Sequence, residues 1–419
     1  MTDRTHAHVV TCFLRHDGRV LLTRRSDAVG TYVGRWAGVS GYVEGDPGDA
    51  LDDARREISE ETGLDATLVR AGDPLDLTDG GRAWTVHPFL FEASDRGVRP
   101  NEELADWEWV HAPAMHDRET VPGLWAAYRR VAPTVETVRG DRDHGSTWLS
   151  LRALEVLRDR AATADGWDAV AAVARDLRDA RPAMAVVANR VNRAMYGADR
   201  DAAAVRRAAA TTLDDAVGVD REAAARAAGL LDGPVATLSR SGTVVAALRE
   251  AGVPVVVGES RPGREGVATA EALAEGGIEV TLVADAALSG AFGDGTAVPD
   301  AASALVGADA ILPDGTAVNK TGSRPLALAA DAAGRPVRVA AARDKVRPDD
   351  AVPTETGDPT ALYDGDAAVR TAVPLFERVP AALVDGVVTE RGVLDADGVR
   401  AAAADHREAA GWDPEVDVG

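Results

Sequence analysis

The sequence predicts a two-domain protein of mixed α/β and α+β class. Three observations predict it. At 419 residues the chain is long for a single hydrophobic core. Its N-terminal part sets short strand patterns around one amphipathic helix. Its C-terminal part passes from an Ala-, Leu- and Arg-rich helical stretch into short apolar runs that alternate with helices.

Taken in order, residues 7–14 (AHVVTCFL) and 19–24 read as strands around the turn His16-Asp17-Gly18, a hairpin pattern. A Gly-rich passage, GTYVGRWAGVSGYVEGDPG, leads into a helix from Asp49 to Thr62 that closes on Gly63, a favourable C-terminal cap. Strands follow at 66–71, 83–92 and 107–111, with a short helix near 122–130, which makes residues 1–135 a compact α+β domain. The polar, charged stretch 136–144 reads as a linker. Within the second domain, residues 145–419, helices are expected at 147–163, 167–179, 183–195, 198–216 and 221–230. Beyond them VATLS (235–239), VPVVVGE (253–259), IEVTLVA (278–284), ALVGADAIL (304–312) and PVRVAA (336–341) have the spacing of parallel βαβ units. A helical subdomain followed by a Rossmann-like parallel α/β subdomain is the result.

Composition narrows the function. Hydrophobic residues make up 46% of the chain, enough for packed cores. Acids outnumber bases 68 to 46, a net charge of −22, which excludes nucleic-acid binding by general phosphate neutralisation. No apolar run reaches the roughly 18–20 residues of a membrane helix and no signal-peptide pattern opens the chain, so a soluble cytoplasmic protein is expected. The lone Cys12 excludes an internal disulfide and multi-cysteine metal sites. Of 46 cations only Lys320 and Lys345 are lysines. This Lys-poor, acidic composition resembles that of salt-in halophilic archaea, where a Debye length of about 3 Å at molar salt weakens self-repulsion. Most acidic runs are therefore solvated surface, and each surviving lysine calls for a specific explanation.

Two constellations carry chemistry. In R-E-I-S-E-E-T-G-L, Glu57, Glu60 and Glu61 stand at i, i+3 and i+4 on a helix, beside Arg56. Carboxylates this close need a cation, and a hard divalent ion such as Mg²⁺ or Mn²⁺ suits oxygen ligands and a diphosphate substrate. The stretch resembles the box of the Nudix hydrolases, G-x5-E-x7-R-E-U-x-E-E-x-G-U, with U aliphatic, matched by Arg56, Glu57, Ile58, Glu60, Glu61, Gly63 and Leu64. Gly41 fits the opening glycine with one residue inserted. The first glutamate of the box falls on Pro47 or Gly48, with Glu44, Asp46 and Asp49 as nearby substitutes. The resemblance, over about residues 5–135, implies an α/β/α sandwich and hydrolysis of a nucleoside diphosphate derivative, with Glu57, Glu60 and Glu61 catalytic and holding the metal. Glu102 and Glu103 are further candidate ligands or bases.

The second constellation gathers polar groups where parallel strands end, the place where such folds bind ligands. T-L-S-R-S-G-T-V (237–244) opens a helix with free amides suited to an anion. E-S-R-P (259–262) supplies Arg261, G-A-D (307–309) a carboxylate, and V-N-K-T-G-S (318–323) Asn319 and Lys320, while Arg181 joins from the helical subdomain. Lys345 reads as a local cap or ion pair. In this order, over about 144–395, they resemble the family of the initiation factor 2B alpha, beta and delta subunits, methylthioribose-1-phosphate isomerase and ribose-1,5-bisphosphate isomerase. That resemblance implies a phosphate or sugar site formed by Arg181, Ser239, Arg261, Asn319 and Lys320, with Asp309 as catalytic acid/base and a homodimer formed through this domain. Ser239 occupies the position of the isomerases' cysteine; an alcohol, unlike a thiol, needs a separate base. The leading expectation is a Mg²⁺-dependent hydrolase fused to a phosphosugar- or nucleotide-binding domain. An isomerase, or a non-catalytic translation-initiation or regulatory module, stands as the alternative for the second domain.

Overall fold

A computed structural model describes residues 6–293, 297–352 and 355–415. The chain divides into two compact units, Met1–Thr134 and Val135–Gly419.

The first unit begins with the hairpin β1 (His6–His16) and β2 (Arg19–Arg25), whose two-residue turn places Asp17 at φ 50° and Gly18 at φ 74°, as a twisted hairpin requires. It continues through β3 (Trp36–Ala37), α1 (Ala50–Thr62), β4 (Ala66–Ala71), β5 (Leu75–Asp79), β6 (Arg82–Ala93), β7 (Leu104–Val110) and α2 (Leu124–Val131). One mixed sheet runs β3-β2-β1-β6-β4, with β5 on β6 and β7 on β2; β1 and β6 pair in parallel. Side chains alternate across β1, so Val10, Cys12 and Leu14 enter the core shared with Ile58 of α1, whereas Phe13 enters the core shared with Tyr128 of α2. A helix therefore covers each face, and the sheet is the middle of a sandwich.

In the second unit, α3 (Val135–Gly140) occupies most of the stretch read as a linker, with Val138 fully buried. Helices α4 (Ser146–Ala161), α5 (Trp167–Arg178), α6 (Ala185–Tyr196) and α7 (Ala202–Ala228) form the helical subdomain. Where two helices were expected between 198 and 230, α7 runs unbroken for 27 residues through Gly218. A mid-helix glycine costs only about 1 kcal/mol, which packing against α4, α6 and α8 outweighs.

The α/β part then runs β8 (Val235–Leu238), α8 (Gly242–Ala251), β9 (Val255–Gly258), α9 (Glu265–Glu275), β10 (Val280–Val283), β11 (Ser303–Val306), β12 (Ala310–Ile311), β13 (Ala317–Lys320), α10 (Ser323–Ala332), β14 (Val337–Ala340), β15 (Phe376–Val379), β16 (Gly386–Thr389), β17 (Gly392–Leu394) and α11 (Ala396–Ala410). The main sheet has the order β10-β9-β8-β11-β14-β16-β17 and is parallel up to β16, with β17 antiparallel. The single strand expected over 304–312 is two: β11 ends at Val306, and β12 pairs instead with β13 in a small antiparallel sheet. The break at 307–309 leaves Asp309 outside both strands. Among the described residues no helix is long and apolar enough to cross a membrane.

Candidate active sites

In the first unit, α1 buries a stripe of Ala50, Asp53, Ala54, Glu57, Ile58 and Glu61, so two of the three acids of the R-E-I-S-E-E run lie on its inner face. Glu57 and Glu60 line a cavity of about 420 Å³ together with Glu44, Arg56 and Glu103; Glu61 lies behind this wall, outside the lining. Glu61 accepts the Ser40 amide at 3.4 Å, and burial, followed by the charges of Glu57 and Glu103, pushes its carboxyl up to about 8. Burial also raises Glu57, against the pull of Arg56. Glu102 is exposed, and its contribution is a backbone carbonyl that accepts the Ser26 hydroxyl at 2.6 Å.

Arg56 is the hub. Its guanidinium lies 2.9 Å from Asp53, 2.9 Å from Glu57, 3.3 Å from Glu60 and 3.6 Å from Glu44. Asp53 also accepts the Glu44 amide at 2.9 Å, tying the Gly-rich loop to the helix. Asp53, which holds both the guanidinium and the Glu44 amide, is thus the carboxylate that anchors Arg56, while the Glu44 carboxylate is the most distant of the four. Of the other two nearby acids, Asp46 caps the turn ahead of α1 through the Gly48 amide, and Asp49 is exposed.

Among the described residues no three acidic, imidazole or thiol groups are placed to cage a metal as they stand. Arg56 engages one oxygen each of Glu57 and Glu60, so a divalent ion at this wall would share these carboxylates with its guanidinium. The donor chemistry nonetheless fits one, because Glu57, Glu61 and Glu103 repel one another at close quarters, and among the described residues Glu57 has the Arg56 guanidinium in contact while Glu61 feels Arg25 only weakly, after burial and both acids.

Gly41 makes this geometry possible. A Cβ at Gly41 would overlap the carboxyl group of Glu57. Gly41→Ala is therefore expected to expel Glu57 from its position and to destabilise the first unit by about 1–3 kcal/mol, as overpacking does. Thermal unfolding together with Mg²⁺-dependent hydrolysis checks this; an alanine variant with unchanged stability and rate would show that Glu57 has freedom to move aside.

In the second unit a pocket of about 270 Å³ opens at the carboxyl ends of β8 and β11, and among its lining residues are Ser239, Asp309 and Asn319. Ser239 takes a left-handed conformation, φ 63°, with its amide on Ser260 Oγ at 2.7 Å and its carbonyl accepting Thr269 Oγ1 at 2.7 Å. Gly307 keeps the two strand ends close, since a Cβ there would stand 2.7 Å from Ser241 Oγ. Asn319 donates to Ser323 Oγ at 2.8 Å, and Asp309 is fixed by its amide on the Val318 carbonyl at 2.8 Å.

Three expected ligands do not line the pocket. Arg261 is largely exposed and pairs with Glu259 at 3.3 Å. Lys320 is bound to Glu265 at 2.6 Å and lies over the Phe376 ring. Arg181 is buried, donating to the Asp141 carbonyl at 2.6 Å, although its charge still feels Asp309.

Conversely, Lys345, read from sequence as a local cap or pair, lines the pocket, as do Arg240, His144 and Trp148. Lys345 comes from the turn after β14, which Asn189 clamps by donating to the carbonyls of Asp344 and Val346 at 2.8 and 2.7 Å. Burial lowers its ammonium, against the attraction of Asp309 and Asp220. The scarcity of lysine was the sequence signal for it.

Residues 142–396 match the initiation factor 2 subunit family and residues 4–135 match the NUDIX domain. Ribose 1,5-bisphosphate isomerase of Haloferax volcanii is 30% identical over 301 residues, covering 63% of this chain and 87% of that protein. A putative translation initiation factor eIF-2B subunit 2-like protein of Pyrococcus furiosus is 27% identical over 275 residues, covering 63% of this chain and 96% of its own length. The crystal structure of a Pyrococcus horikoshii OT3 translation initiation factor eIF-2B superposes with a TM-score of 0.55 at 28% identity, covering 62% of this chain and 94% of that one.

Proposed function

Since this chain belongs to the initiation factor 2 subunit family through residues 142–396 and carries a NUDIX domain over residues 4–135, we propose that it joins a Mg²⁺- or Mn²⁺-dependent hydrolase of a nucleoside diphosphate derivative to a phosphopentose-binding domain. The observation that carries the hydrolase half is the convergence of Glu57 and Glu60, from a helix, and Glu103, from a separate loop, on one cavity wall, with Glu61 behind it. Glu57, Glu60 and Glu61 would hold the ion, with Glu103 beside them. When bound, such an ion polarises phosphoryl oxygens and makes its water acidic. Arg56, tethered by Asp53, keeps the acidic wall in order until the ion competes for it. Tyr42 and Trp84, with ring centroids 6.1 Å apart and planes inclined at 39°, put two aromatic faces on the cavity lining, apolar surface suited to a nucleoside.

The intact protein, given a panel of nucleoside diphosphate derivatives, is expected to release a nucleoside monophosphate from at least one of them only when Mg²⁺ is present. Absence of any Mg²⁺-dependent product across the panel sinks the hydrolase reading.

For the second unit, Asp309, Asn319 and Lys345 around one pocket favour binding of a phosphorylated pentose, and the isomerase among its relatives favours turnover there over a purely regulatory module. A homodimer formed through this unit is part of the same reading.

A further inference from the structure

Ser239 stands where the isomerase resemblance expects a thiol, and no histidine lies near it in sequence. The fold supplies one. His144, from the turn before α4, lines the same pocket as Ser239 and Asp309 although it is remote from both along the chain. Its Nδ1 lies 2.8 Å from Asp141 Oδ2, while Asp141 Oδ1 accepts the amides of Asp143 and His144, each at 2.9 Å. Burial works against ionisation of Asp141, but these bonds from His144 and Asp143 outweigh it and keep the carboxyl below its usual range. The imidazole stacks on Trp148 at 3.9 Å and 12°, and the Arg152 guanidinium stands 4.9 Å from the same indole. Arg181 steadies the turn through the Asp141 carbonyl. Nε2 has no protein partner among the described residues. In the tautomer whose Nδ1–H donates to Asp141, Nε2 carries the lone pair, the arrangement in which a histidine accepts a proton.

We propose that His144, oriented by Asp141, is the proton-accepting catalytic residue of the second pocket, replacing the thiol absent at position 239. This rests on reading the pocket as a phosphopentose site. Conversion of a cyclic aldose 1-phosphate to a ketose phosphate breaks the bond between C1 and the ring oxygen, and the ring oxygen takes a proton from Asp309. The hydrogen on C2 moves with its electron pair to C1, while the C2 hydroxyl gives its proton to His144 Nε2 and becomes the carbonyl. C2 is oxidised as C1 is reduced, so no external oxidant is needed. Proton exchange with solvent resets Asp309 and His144.

The test uses the intact chain and ribose 1,5-bisphosphate, with binding followed by calorimetry and turnover by product analysis. His144→Asn is expected to keep ligand affinity within about threefold of the natural protein and to lower kcat by about 10²–10⁴-fold, with partial recovery in added imidazole. Asp141→Asn, which spoils the tautomer and not the base, is expected to lower kcat about tenfold or more. Asp141 and Asp143 share the turn with His144, and Asp309, Arg240 and Lys345 line the same pocket, so a pH dependence of the rate is assigned to His144 only where it disappears in His144→Asn. A His144→Asn variant that keeps its rate overturns the inference, and so does a natural protein that binds ribose 1,5-bisphosphate without converting it. Absence of binding removes the phosphopentose reading itself, and the inference with it.

Discussion

Glu61→Gln is expected to stabilise the metal-free chain at pH 9 and, at the same time, to lower Mg²⁺-dependent hydrolysis by at least about 10²-fold. The carboxyl of Glu61 is pushed from 4.5 up to about 8, first by burial and then by Glu57 and Glu103. A folded-state value above the unfolded one means that the protonated acid suits the fold. The associated stability is fully present below about pH 4.5, declines as pH rises, and is gone above about pH 8. Glutamine imitates the protonated acid at every pH. The gap sets a ceiling of about 5 kcal/mol at roughly 1.4 kcal/mol per tenfold change, and relaxation around the site brings the expected gain to about 2–4 kcal/mol. Thermal unfolding in chelator should therefore show similar transitions for the two proteins at pH 4.5 and a higher one for the variant at pH 9. Added Mg²⁺ should raise the transition of the natural protein at pH 9 and leave the variant unmoved. If glutamine brings no gain at pH 9, Glu61 is not held against its own charge, and the physical reason for a cation at this wall disappears.

What the sequence made legible was local. The bounds of α1 follow from the 3.6-residue period and from Gly63, which takes φ 62° at the cap. Ser239 and Asp309 share a pocket because carboxyl ends of the neighbouring parallel strands β8 and β11 lie side by side, a rule that needs only strand order; Asn319 joins them from the small antiparallel sheet. Partner choice was not legible. Arg261 and Lys320 look like anion ligands in their motifs, yet Glu259 and Glu265 claim them, and only the folded chain brings Glu265 of α9 to Lys320 at the end of β13. His144 and Lys345 enter the pocket from segments with no motif of their own. The inner-face position of Glu61 was equally hidden, because spacing groups Glu57, Glu60 and Glu61 without showing which of them the sheet buries. The continuity of α7 was missed because an Ala-rich stretch carries too little apolar contrast to outweigh Gly218.

Arg190→Met is expected to destabilise the second unit by about 3–5 kcal/mol, the cost of breaking a buried ion network by removing one partner. The Arg190 side chain is fully buried, with Nε 3.0 Å from Asp344 Oδ2, Nη1 2.8 Å from Ser150 Oγ and Nη2 3.1 Å from Asp220 Oδ2. Methionine refills much of the stem's volume but satisfies none of these groups, and of the two acids Asp344 is the more deeply buried. Arg193 also pairs with Asp344 and retains part of its stabilisation. Adding Asp344→Asn to Arg190→Met should recover part of the loss, because the larger penalty comes from a buried charge without its counter-ion and not from missing methylene groups. The same change reaches the pocket: Asp344 precedes Lys345 in the turn clamped by Asn189, so losing the Arg190 anchor on Asp344 loosens the placement of Lys345. Affinity for ribose 1,5-bisphosphate should therefore fall along with stability. Urea unfolding of the intact chain at fixed pH measures the first effect and calorimetry the second. A stability loss below about 1 kcal/mol, the size of an ordinary substitution, would mean that the network does not hold the turn and that Lys345 reaches the pocket by packing alone.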